Sequence, residues 1–116
     1  MPWEIIIHSE VSIWTEKLNK KMYENLNAVI LALRDEGPAL GRPIVDHIKG
    51  SRLSNLKEMR VPGSHIRVLF AFNNDRVALL LVGGDKSNNW KRWYEENIPI
   101  AELRFQELNL LLRKGQ

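Results

Sequence analysis

Leu56-Lys57-Glu58-Met59-Arg60-Val61, Ile66-Arg67-Val68-Leu69-Phe70-Ala71-Phe72 and Val77-Ala78-Leu79-Leu80-Leu81-Val82 follow one another, with the short, turn-forming Pro62-Gly63-Ser64 and Asn73-Asn74-Asp75 between them. Each run is rich in β-formers, and links this short can only join antiparallel neighbours, so the stretch reads as a meander of three strands. In its middle strand Ile66, Val68, Phe70 and Phe72 share one face, while His65, Arg67, Leu69 and Ala71 share the other. One face is core, and the other begins with a polar pair.

Working outward, Trp3-Glu4-Ile5-Ile6-Ile7-His8 suits a short buried strand, and Ser9 is the expected N-cap of the helix that follows. Val11, Trp14 and Leu18, then Met22, Leu26, Val29, Ile30 and Leu33, recur at helical spacing on either side of Asn19-Lys20-Lys21, which reads as a helical hairpin. Gly37-Pro38 ends it. On the other side of the meander, Trp90, Trp93, Tyr94 and Asn97 line one side of a short helix, and Pro99 suits the first turn of a last helix carrying Leu103, Phe105, Leu108, Leu111 and Leu112. The expected fold is α+β: an N-terminal strand, a helical hairpin, an antiparallel meander of three or more strands and C-terminal helices, packed on one sheet as a single domain over 1–116.

The chain has 116 residues and no cysteine, so neither a disulfide framework nor a Cys-zinc site is available, and the core must come from packing alone. Its longest apolar run, Val77 to Val82, is far below the ~20 residues of a membrane span. The N-terminus lacks the pattern of a secretory signal, and a cytoplasmic location is expected. The net charge of +3 is unevenly spread: residues 49 to 93 carry nine basic and three acidic side chains, with acidic excess on both flanks. A concentrated positive field of this kind favours a polyanion.

Other chemistries are demoted by spacing. Gly83-Gly84 before Asp85-Lys86-Ser87 lacks the spacing of a phosphate loop, His8, His47 and His65 form no metal-binding pair, and no serine-hydrolase elbow occurs. Carboxylate catalysis has little to recommend it where Asp and Glu are fewest. What remains is Lys57, Arg60, His65, Arg67, Lys86 and Tyr94 as candidate catalytic groups, with Arg76, Trp90, Lys91, Arg92 and Trp93 as candidate RNA contacts. Basic side chains on a sheet can stabilise a phosphoryl-transfer transition state, and aromatic rings can stack on unpaired bases. The chemistry that suits them is attack of an RNA 2′-OH on its own phosphate, which needs an acid, a base and positive charge, and neither metal nor cofactor. Each residue has a plainer reading: Arg67 pairing with Glu58 across the hairpin, Trp90 and Trp93 as core, Tyr94 as a core ring with a bonded tip, Lys57 and Lys86 as solvated lysines.

The pair Leu56-Lys57-Glu58-Met59-Arg60 and Ile66-Arg67-Val68-Leu69-Phe70 resembles the RelE/ParE superfamily of bacterial toxins, and the stretch from Leu81-Val82-Gly83-Gly84 through Trp90-Lys91-Arg92-Trp93-Tyr94 to Ile98-Pro99-Ile100-Ala101 is similar to its HigB-like, phage-derived branch. The resemblance covers nearly the whole chain. It implies a type II toxin neutralised by an antitoxin, expected to be a helix-turn-helix protein, and a metal-independent endoribonuclease that cuts mRNA on the ribosome. Lys57, Arg60 and Arg67 match the basic sheet residues of the superfamily. Gly83-Gly84-Asp85-Lys86 departs from the Phe-x-Lys-Lys that often follows the last strand, and the C-terminal histidine of HigB proteins is absent, which leaves Tyr94, Lys86 and His65 as candidate acid and base. Two alternatives share the fold: a ParE-like inhibitor of DNA gyrase without nuclease activity, and a non-catalytic binding protein.

Overall fold

The computed structural model describes residues 2–114. Strand β1 (Glu4–Ile7) leads into helices α1 (Ser9–Thr15) and α2 (Lys20–Glu36), and strands β2 (Val45–His47), β3 (Lys57–Arg60), β4 (Ile66–Phe72) and β5 (Val77–Asp85) precede helix α3 (Trp90–Lys114). The sheet order is β1-β5-β4-β3-β2. The meander lies at its centre; β1 joins parallel to β5 at one edge, and the short β2 closes the other antiparallel to β3.

Helices cover both faces of the sheet, where packing on one sheet was expected without assigning faces. Leu26, Val29 and Leu33 of α2 pack with Met59, Val68, Phe70, Ala78 and Leu80 on one side. Ala101 and its α3 neighbours pack with Leu56, Leu69, Val77, Leu79, Leu81 and Val82 on the other. A strand covered twice needs apolar residues at successive positions, which is why Val77 to Val82 is an unbroken run.

A bulge decides which side chains reach which face. Leu69 pairs with Val82 but Phe70 pairs with Leu80, leaving Leu81 as the extra residue. Leu81 and Val82 therefore both face α3. Beyond the bulge Gly83 turns toward Trp14 of α1 and Gly84 toward Trp93 of α3.

Three local expectations are corrected. The cap of α1 is His8 rather than Ser9: His8 Nδ1 accepts the Glu10 N–H at 3.1 Å, and Ser9 is already helical. Asn19, read as an interruption, is the cap of α2, its Oδ1 accepting from Met22 N at 2.8 Å. The two C-terminal helices are one, with Pro99 inside it. Proline in a helix interior costs about 3 kcal/mol. The cost is offset because Tyr94, Ile98, Ala101, Phe105, Leu108 and Leu112 form a single stripe against the sheet that crosses Pro99 without a break.

Candidate active site

Alternation along β3 turns Glu58 and Arg60 toward α3 and Lys57 and Met59 toward α2. Glu58 is only 4% exposed. A buried carboxylate has to be paired, and three side chains meet it. The Tyr94 hydroxyl donates to Glu58 Oε1. Arg60 donates to Oε2 through Nη2 at 2.9 Å and Nε at 3.2 Å. Arg67 Nε lies 3.9 Å from Oε1. Arg60 also reaches Asp46 on β2, Nη2 to Oδ2 at 3.3 Å.

Arg60 and Arg67 are direct cross-strand partners. Like charges opposite one another are unfavourable, and Glu58 is the counter-charge between them. Its hydrogen bonds raise the Arg60 pKa. Arg67 donates Nη1 to the Ile66 carbonyl at 2.9 Å, while its buried Nε has no acceptor within hydrogen-bonding range. Two guanidiniums side by side concentrate positive charge here, with the Glu58 carboxylate between them.

Tyr94 comes from the first turns of α3, where Asn89 Oδ1 accepts the Arg92 N–H at 3.1 Å. Its neighbour Trp93 lies against Gly84, and the Trp93 and Tyr94 rings meet edge to face at 5.2 Å. Burial first, then the bond to Glu58, pushes the Tyr94 hydroxyl from 10 up to about 12. The fold thus favours the neutral phenol, a contribution fully present below pH 10 and lost as pH rises through about 12. In alkaline absorbance titration a tyrosinate component with a midpoint near 12 is expected, and Tyr94→Phe should abolish it.

The remaining candidates divide. The Lys86 ammonium lies 6.0 Å from the Tyr94 ring centroid, and the Lys86 N–H donates to the His65 carbonyl at 3.1 Å. The His65 side chain is exposed at the start of β4. Lys91 and Arg92 are exposed on α3, Arg92 paired with Glu96 at 2.7 Å. Trp90 is 62% exposed and sits edge to face on Tyr94 at 6.4 Å, so it is not core, whereas half-buried Trp93 is. Lys57 lies on the opposite face, its ammonium 5.5 Å from the Phe72 centroid. Arg76 stands at the far end of β5, stacked over Trp3 at 4.1 Å. Neither joins the Glu58 cluster.

Comparison with known proteins decides the family. The model described as phage derived protein Gp49-like matches residues 13–106. The chain belongs to this Gp49-like family. HigB3 of Mycobacterium tuberculosis, a toxin by name, is 48% identical over 100 residues, 86% of this chain and 88% of HigB3. HigB2 of the same organism, also a toxin by name, is 45% identical over 101 residues, 84% of this chain, which spans only 50% of HigB2. Among solved structures, a mutant of E. coli RelE in the free state superposes with a TM-score of 0.61 at 12% identity, over 78% of this chain and 90% of RelE. A chain of the RelE–RelB complex from Pyrococcus horikoshii gives 0.62 at 21%, over 76% and 99%. Their identity is low, and they establish the fold. The Gp49-like chain is thus a HigB-like toxin with the RelE-like α+β fold.

Two features of this Gp49-like site escape a composition-based reading. Glu58 was demoted because acidic residues are few in the strand region, yet a single carboxylate two residues before Arg60 on an alternating strand necessarily shares its face. Asp46 lies on β2 directly across from Glu58. Among the described residues no group of three or more His, Asp or Glu side chains could hold a metal ion, and no helix is long and apolar enough to cross a membrane.

Proposed function

We propose that this chain, read as one toxin domain over 1–116, is a ribosome-dependent mRNA endonuclease acting in the cytoplasm and neutralised by an antitoxin, a small helix-turn-helix protein. The observation that carries the reading is the Glu58 carboxylate held between the Tyr94 hydroxyl and two adjacent guanidiniums. The HigB names of its relatives and the RelE–RelB assembly of a structural neighbour support the toxin role and the partner.

In this mechanism the scissile phosphate sits on Arg60 and Arg67, which offset the charge that builds in the transition state. The substrate 2′-OH displaces the Tyr94 hydroxyl from Glu58 Oε1 and gives its proton to the carboxylate. The 2′ oxygen bonds to phosphorus as the bond to the 5′ oxygen breaks. Tyr94, which keeps its proton well above neutral pH, protonates the departing oxygen. A 2′,3′-cyclic phosphate and a 5′-hydroxyl result. Lys86, beside the Tyr94 ring, adds positive charge at the leaving side.

Ribosomes translating a defined mRNA, read by primer extension, test this. The wild-type protein should cut. Arg67→Ala should cut about 10²–10³-fold more slowly, the loss typical of one charge-stabilising donor, while Lys57→Ala, on the other face, should stay within a few-fold. Intact mRNA together with gyrase-dependent DNA breaks would overturn the reading in favour of a ParE-like inhibitor.

A further inference from the structure

Tyr94 and Glu58 meet from two elements, α3 and β3, that are tied together a second time by a polar clasp away from the pair. Glu102, two turns along α3 from Tyr94, accepts at Oε2 both the Ser51 hydroxyl at 2.7 Å and the Arg52 N–H at 2.5 Å. Ser51 Oγ in turn accepts the Leu53 N–H at 3.0 Å. The loop gripped in this way is closed on the start of β3: the Ile48 N–H donates to the Leu56 carbonyl at 3.0 Å, and the Leu56 N–H to the Leu53 carbonyl at 3.1 Å. Glu58 follows two residues later. A closed ring results, running from Glu102 through the loop to Glu58, across to Tyr94 and back along about 12 Å of helix. The Ser51 bond first, then the Arg52 N–H, holds the Glu102 carboxyl below its usual range, so the clasp is charged at neutral pH.

The ring spans a weak point of α3. Pro99 lies between Tyr94 and Glu102 and has no N–H, so the Glu95 carbonyl lacks its partner in the helix. Helices bend where such a rung is missing. The apolar stripe that crosses Pro99 presses α3 onto the sheet, but apolar burial is non-directional and tolerates a small slide or tilt. A hydrogen bond does not, since it is lost beyond about 3.5 Å. The stripe therefore supplies adhesion, while the polar bonds at Tyr94 and Glu102, one on each side of Pro99, set alignment.

We propose that Glu102 is a positioning residue for the Glu58–Tyr94 pair: by gripping Ser51 and Arg52 it fixes α3 on the far side of Pro99 and so keeps the Tyr94 hydroxyl on the carboxylate. The inference rests on the ribonuclease reading and adds to it a residue two helical turns from the reacting atoms. Its effect is large for its distance, because a displacement of about 1 Å at reacting groups can cost about 10²-fold in rate.

The test compares Glu102→Ala, Glu102→Gln, Ser51→Ala, the double variant Glu102→Ala with Pro99→Ala, and Gly83→Ala, which is expected to destabilise through Trp14 on the opposite face. Each is followed by alkaline absorbance titration, with circular dichroism verifying the folded state at every pH, and by cleavage on translating ribosomes, read for kcat and KM. In Glu102→Ala the Tyr94 component should move down from about 12, and kcat should fall about 10- to 100-fold with KM within a few-fold. Ser51→Ala should shift both in the same direction by less. Glu102→Gln, whose amide oxygen can accept both donors, should stay close to wild type. Adding Pro99→Ala restores the missing rung and should return most of the Tyr94 shift. If Glu102→Ala melts earlier but leaves the Tyr94 component at the wild-type midpoint, or moves it no further than Gly83→Ala does, the clasp only adds stability; the inference then fails and the cleavage mechanism stands. Wild-type protein that does not cut ends the ribonuclease reading, and the titration, which needs no substrate, then decides the positioning by itself.

Discussion

Glu58→Gln should slow RNA cleavage by about 10²–10⁴-fold, the span usually lost with a general base. The amide has nearly the shape of the carboxylate and can still accept the Tyr94 hydroxyl, so the geometry around it survives while the basic group is gone. Single-turnover cleavage, with substrate binding measured separately, isolates the chemical step. A variant that binds RNA as the wild type does and cuts at the wild-type rate would remove Glu58 from the mechanism. Stability should move as well. Glu58 is the counter-charge for Arg60, which is about a third exposed, and for Arg67, which is 11% exposed. Asp46 continues to serve Arg60. Arg67 keeps its bond to the Ile66 carbonyl but loses its neighbouring anion. Removing one partner of a buried pair costs about 3–5 kcal/mol; with Arg60 partly in water the expected loss is nearer 2 kcal/mol. Added salt should recover part of it by screening the two guanidiniums that the neutral amide no longer balances.

Much of this fold was legible because local signals and packing agree. The meander follows from three β-rich runs and two short turns, and the helical hairpin from two apolar stripes, the second of which finds the sheet in Leu26, Val29 and Leu33. Where the signals compete, the sequence misleads. Pro99 reads as a helix start because proline favours the first turn, yet the stripe on either side of it keeps a single helix on the sheet. Ser9 is a better N-cap by type than His8, but β1 ends one residue earlier, and the His8 N–H is tied to the Leu80 carbonyl at 3.0 Å, which fixes where the helix can begin. The cluster around Glu58 was half legible. Arg60, Arg67 and Tyr94 were singled out from residue type and resemblance, but Lys57 was grouped with them although period-2 alternation sets it on the opposite face. Counting charges by region hid Glu58, whose importance comes from being one acid among bases.

The Gly83-Gly84 pair was read as a departure from the pattern of relatives, and its packing gives it a structural reason with a measurable consequence. A Cβ on Gly83 would come 2.2 Å from Trp14 Cε3, and one on Gly84 would come 2.6 Å from Trp93 Nε1. The sheet is thus clamped at this point by one indole from each side, and neither glycine has left-handed backbone to explain it, so contact distance alone demands the missing side chain. Overpacking of a filled interior costs about 1–3 kcal/mol. Gly83→Ala and Gly84→Ala should each lower the melting temperature by on the order of 10 °C in this 116-residue chain. Their functional effects should differ. Gly83→Ala pushes on α1, away from the Glu58 cluster, and its folded fraction should cut RNA at close to the wild-type rate. Gly84→Ala pushes Trp93 and with it the first turns of α3 outward, carrying Tyr94 off Glu58, so cleavage should fall well beyond the loss of folded protein. The Tyr94 titration should report the same event, because a phenol moved into water and away from the carboxylate loses the burial and the bond that hold its pKa near 12. A downward shift of that component in Gly84→Ala but not in Gly83→Ala would tie the glycine, the indole and the tyrosine into one positioning device. Equal behaviour of the two variants would reduce the pair to simple packing.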